Sequence, residues 1–179
     1  AIGKVRAFAE GDGGGVVAVG VSDSTVILTL NGTVIIHENA VIRATGSEDG
    51  VTDGSITVIS STTADAIARG RGTSGGIVAV ARADVTVNLS YFSIVDIGDS
   101  ATLETNGALH VESRSDTTAT ADSNVVAGGG IAVASNTTNL DVGTSGSRAS
   151  TITSIGPNAL LKGRDVTVAA KVINLNLLD

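Results

Sequence analysis

Two histidines, His37 and His110, and no cysteine are all the chain offers for imidazole or thiolate chemistry. A metal site built on them would need both rings to converge with carboxylates, because no H-x-x-x-H or comparable spacing puts two ligands on one face. Strand-surface histidines are the reading favoured by VIIHEN and ALHVES, where they occur. Serine and threonine abound, but the bases that would activate them as nucleophiles are scarce. A carboxylate pair could cleave a polysaccharide, yet Glu10, Asp12, Asp23, Glu38, Asp96 and Asp99 scatter mostly over turns and strand ends. Aromatic rings on which a sugar could stack are limited to Phe8, Tyr91 and Phe92. No catalytic residue and no cofactor site is assigned on these grounds, and the chain is read as a non-enzyme.

The segment 46–55, GSEDGVTDGS, concentrates Glu48, Asp49 and Asp53 among glycines and is the one candidate for Ca²⁺, which takes oxygen ligands. EF-hand spacing and the nonapeptide of calcium β-rolls are both missing, so a solvated insertion loop is the favoured reading. The glycine run in GDGGGVV is followed by no Lys and Ser/Thr pair and opens a strand pattern, which argues for tight corners and against a phosphate cradle.

The whole chain narrows the choice of partners. A net charge of −7 excludes the clustered cations that nucleic acid or an anionic membrane surface would demand. No apolar stretch approaches the roughly 20 residues of a spanning helix. Two Phe, one Tyr, no Trp and no Met leave the interior to Val, Ile, Leu, Ala and Thr, while 42% hydrophobic residues against 16% charged ones are enough to fold. A core without large rings must stack small apolar groups in a regular way.

That regularity is visible as a repeat. Residues 7–20 (AFAEGDGGGVVAVG), 66–81 (AIARGRGTSGGIVAVA) and 119–134 (ATADSNVVAGGGIAVA) share one plan. Each has Ala-x-Ala, a charged residue, a polar or glycine turn, a glycine pair, then alternating Val, Ile and Ala. Gly15, Gly76 and Gly130 lie 61 and 54 residues apart (76 − 15; 130 − 76). A second block, NAVIRATG, SATLETNG and PNALLKG, places Ala40, Ala101 and Ala159 at spacings of 61 and 58 (101 − 40; 159 − 101). The unit is about 57 residues, giving repeats over residues 5–63, 64–117 and 118–179 of a single repetitive domain, 1–179.

Within a unit the period is two. Val85, Val87 and Leu89 share one face while Thr86 and Asn88 share the other, and Ile173, Leu175 and Leu177 repeat the pattern. Asn-Gly and Asp-Gly pairs punctuate these runs as turns. The predicted fold is an all-β solenoid, a parallel β-helix of stacked coils, with an elongated β-sandwich as the alternative. Each unit is expected to hold two or three coils of roughly 20 to 30 residues, with the Ala-x-Ala strands at a narrow part of the cross-section. Eight or so coils at about 4.8 Å each would form a rod of roughly 40 Å.

Ala7, Ala9, Gly13, Gly14, Gly15, Ala66, Ala68, Gly75, Gly76, Ala119, Ala121, Gly128, Gly129 and Gly130, together with residues 39–44 and 165–169, carry a family resemblance. The pattern is similar to the repeats of large secreted bacterial filamentous adhesins of the filamentous haemagglutinin-like and leukotoxin-like kinds. The resemblance implies a right-handed β-helical shaft at the cell surface, exported through an outer-membrane partner. On this reading the chain is a structural, fibre-forming segment, extracellular, partnered by further repeats or by copies of itself end to end. The alternative is an adhesin module that binds a surface, matrix or polysaccharide ligand, for which Tyr91 and Phe92 in the divergent SYFSIVD segment are the candidate contacts. A polysaccharide-cleaving β-helix and an ice-binding solenoid are lesser alternatives, the second weakened because Thr positions do not recur in register.

Overall fold

The computed structural model describes residues 1–46, 53–144 and 148–178. Among these residues nine strands follow one another: β1 (Ile2–Gly14), β2 (Val17–Ile36), β3 (Val41–Ala44), β4 (Ile56–Ile97), β5 (Thr102–Thr105), β6 (Ala108–Val142), β7 (Ala149–Ile155), β8 (Leu160–Lys162) and β9 (Asp165–Leu178). All pairing is parallel. β4 carries β1 and β2 on one side and β6 and β7 on the other; β6 also pairs with β9, and β3, β5 and β8 form a separate three-stranded sheet. The chain is therefore an all-β solenoid, and each strand lies against the strand one repeat away.

The coil is larger than the sequence suggested. One repeat makes one coil: β1, β2 and β3 form the first, β4 and β5 the second, β6, β7 and β8 the third, and β9 opens a fourth. The expectation of two or three coils per unit fails because no turn closes a coil at 20 to 30 residues. β4 runs 42 residues straight through the glycine pair, whose backbone stays in the ladder. At about 4.8 Å per layer the four levels rise only about 15 Å, whereas the 20 residues of β2 span at most about 65 Å. The described chain is a broad slab, not a slender rod.

Register shows where the chain changes length. β1 and β2 pair with β4 at an offset of 61, as in Val5↔Ala66 and Val26↔Val87. β4 pairs with β6 at 53, from Ile56↔Leu109 to Leu89↔Val142. The offset then becomes 58 at Tyr91↔Ala149. The glycine corner follows the same arithmetic, so Gly76 pairs with Gly129 and not with Gly130.

Each coil is a flattened hairpin whose two arms face each other. At the tip the arms touch backbone to backbone, and a Cβ on Gly11 would overlap the carbonyl of Val21. Gly15 turns the first coil with φ of 136°, a conformation suited to glycine. Away from the tip the arms separate to enclose Ala64, Ala66, Ala68, Ala119 and Ala121 on one side and Val26, Leu28, Val85, Val87, Leu89 and Tyr91 on the other. The Ala-x-Ala strands do mark the narrow part. A second cluster fills the wide end, where Ile36, Ile56, Val58, Val95, Ile97, Leu103, Leu109 and Val111 pack beneath the three-stranded sheet.

Between the two clusters the core is hydroxyl-lined. Ser60 and Ser93 face each other at 3.1 Å, and Ser60 Oγ donates to Gly32 O at 2.8 Å while Ser93 Oγ donates to Ser60 O at 3.1 Å. One layer up, Ser113 meets Thr153 and Ser115 meets Thr151, both at 2.9 Å. These contacts pull opposite walls together into a waist.

The far corner is a stack of identical turns. Asn39, Ser100 and Asn158 adopt φ of 58°, 56° and 59° at corresponding positions. Each turn closes on itself through Ala40 N to His37 O, Ala101 N to Gly98 O and Ala159 N to Gly156 O. Positive φ at the third position is the demand of a type II turn, and Pro157, the only proline, occupies the second position, which that turn favours.

Candidate functional site

Period-two alternation decides the fate of the aromatic candidates. Tyr91 points inward and is 4% exposed in the alanine and valine cluster, whereas Phe92, one residue on, sits half-buried on the outer wall. The two rings therefore lie on opposite faces of β4 and make no joint surface, which corrects the expectation that SYFSIVD presents them together. The exposed ring is Phe8, at 66%. It lies on β1 beside Arg6, Ile67 and Arg69 at a shallow groove of about 370 Å³. Sequence alone did not single it out, because only the register brings Arg69 of β4 next to Phe8.

Of the calcium candidates, Glu48 and Asp49 lie outside the described residues. Asp53 is engaged by the Arg164 guanidinium, which also bonds Asp165 Oδ2 at 3.3 Å. Among the described residues no three His, Asp or Glu side chains gather where a metal ion could sit. His37 stands in the first turn of the far corner, and His110 lies on the outer wall of β6 in another column, paired with Thr57 and Thr167, so the ladder does not stack the two.

Stacking converts scattered charges into ladders. In the three-stranded sheet Arg43, Glu104 and Lys162 occupy one column. Arg43 Nε donates to Glu104 Oε2 at 3.2 Å and Lys162 Nζ to Oε1 at 2.7 Å. The Lys162 ammonium, then Arg43, holds the Glu104 carboxyl below its usual range. Arg69 and Asp122 pair directly across β4 and β6, and Arg82 reaches Asp84 at 2.6 Å along its own strand. Asp23 stacks under Asp84 as a like charge, and Arg82 is the cation that neutralises this column.

Among the described residues Glu112 is the one buried acid, 5% exposed although alternation aims it outward. Lys171 Nζ donates to its Oε2 at 2.8 Å, and His110 Nε2 lies 3.1 Å from the same oxygen. Hydrogen bonding from Lys171 keeps its carboxyl below the ordinary range despite the opposing effect of burial. The pattern within one repeat does not reveal this site, because Lys171 arrives from the next layer.

What the coils can do chemically lies along the axis. Among the described residues β1, β2 and β3 are bonded on one side only, and on the opposite end so are β7, β8, β9 and the second half of β6. Each such strand presents backbone N–H and C=O groups that another parallel strand would satisfy. Comparison with protein-family models, with curated proteins and with solved structures finds no match to this chain.

Proposed function

We propose that the chain is a structural segment of an extracellular fibre or adhesin shaft, acting by continued β-coil stacking and without catalysis. The observation that carries this reading is the in-register ladder from coil to coil, which among the described residues leaves strand edges open at both axial ends. Further repeats or further copies would satisfy those edges with the same 4.8 Å step that joins the coils within the chain. Charge columns such as Arg43, Glu104 and Lys162 favour addition in one register, since a slipped layer would lose its opposite-sign neighbour. Negative-stain electron microscopy of the purified protein tests the proposal. Rods or fibres with fibre diffraction at about 4.8 Å along the long axis are expected; compact isolated particles at all concentrations would overturn it.

A second reading, a module that binds a polysaccharide or surface ligand, is favoured by one observation, the exposed Phe8 flanked by Arg6 and Arg69. An aromatic face with guanidinium groups beside it suits an acidic sugar. Phe8→Ser with Arg69→Ser should then abolish retention on an acidic-glycan array, and unchanged retention removes this reading.

A further inference from the structure

The outer wall of the second arm carries an apolar stripe that axial stacking leaves partly uncovered. Next to the tip, Val17, Val78 and Ile131 form one outward column and Val19, Val80 and Val133 the next. Val17 is 69% exposed, Val19 59%, Ile131 63% and Val133 53%, with Ile77 adding to the stripe at the tip itself. No charged residue occurs in 16–20, 77–81 or 130–134. Further from the tip both arms turn charged, the first presenting Glu10, Arg69, Arg71 and Asp122 to solvent and the second Arg82 and Asp84. Adding copies at either axial end would bury only part of the stripe, because its side chains point away from the axis: in the middle layer Val80 is still 37% exposed and Ile77 65%.

We propose that this stripe is a lateral interface in which a second copy of the chain packs face to face, wall against wall. Three observations select a copy as the occupant. Outward β-branched columns recur at the layer spacing in all three coils, so an identical wall offers ridges at the matching interval, as sheets stacked about 10 Å apart require. The chain carries −7, and within this stripe two acidic copies can meet without opposing charges, the nearest charge on the same wall being Arg82, already paired with Asp84. Finally, Val17, Val19, Ile77, Val80, Ile131 and Val133 are all at least one third exposed in the isolated chain, a contiguous patch of several hundred Å² on the order of the roughly 800 Å² each partner gives to a standard interface. A self-complementary patch closes as a two-fold pair, and Val80, in its middle layer, lies at its centre. Each additional coil lengthens the stripe, so lateral pairing strengthens as a shaft grows. This inference does not depend on the axial proposal.

Sedimentation velocity on the intact chain provides the test, with dimers expected to accumulate at tens of micromolar and to dissociate on dilution. Val19→Lys, Val80→Lys and Val133→Lys combined should weaken the dimer at least tenfold, with an unchanged far-UV circular dichroism spectrum because all three side chains are external. A monomer at every concentration, or a dimer indifferent to the lysines, overturns the proposal. The absence of cysteine permits a positional check that separates lateral from axial association. Val80→Cys should be linked between copies by a bismaleimide of about 10 Å reach, and Asp122→Cys, on the opposite arm, should not; equal yields at the two positions would also overturn it.

Discussion

The blade at the tip of each coil and the broad end beyond the waist are built from the same ladder with different filling. In the blade Ala66, Ala68, Ala79 and Ala81 are fully buried with almost no side chain to bury. In the broad end Ile97, Leu103 and Leu109 are buried just as completely. Both regions share one parallel ladder, so what differs between them is the size of the side chains that fill the space between the walls. The blade's stability comes from backbone hydrogen bonds and close contact, and the broad end's from buried aliphatic volume.

Substitutions in opposite directions should separate the two. Leu103→Ala should cost the most, about 3 kcal/mol by urea denaturation, since it leaves a cavity at a site that the surrounding walls cannot close. Ala81→Leu should cost about 2 kcal/mol, by forcing the arms apart where no space exists, and the exchange of these two costs would erase the distinction between the regions. At the waist between them, Ser93→Ala removes a donor to Ser60 O and should cost about 1 kcal/mol. Asn158→Ala, at φ of 59°, should lose about 1 kcal/mol or less, because alanine tolerates that conformation worse than asparagine.

The smallest effect expected is electrostatic. The carboxyls of Glu104 and Glu112 titrate below the ordinary 4.5 in the folded chain. Their stabilisation is therefore present above about pH 4.5 and is lost as pH falls through the lower folded values. Thermal melts should shift downward on acidification below pH 4.5, and Lys171→Ala should flatten that shift.

The repeat and the alternation were legible in the sequence because both are properties of side-chain type along one strand. Ala40, Ala101 and Ala159 stack as their spacing implied: Thr102 N bonds Ala40 O, and Leu160 N bonds Ala101 O. Coil size was not legible. A glycine pair reads as a turn, yet Gly75 and Gly76 stay inside β4, and nothing local tells a bend within a ladder from its end. Tyr91 and Phe92 read as one surface only if adjacency outweighs the period of two, and the Val85, Val87, Leu89 alternation already places them on opposite faces. The pairings of Arg43 with Glu104 and of Lys171 with Glu112 depend on exact offsets, and those follow from corner lengths that composition does not fix.

The changing offsets bear on how such a chain can vary. Eight residues disappear from the count between the first and second steps, 61 to 53, and five return between Leu89↔Val142 and Tyr91↔Ala149. Columns on either side of these changes remain aligned. The chain thus gains or loses residues between β3 and β4 and between β6 and β7 without the walls losing their step, which makes these the two segments into which a peptide epitope could be spliced. A scaffold of this kind carries information at its corners and keeps its walls uniform.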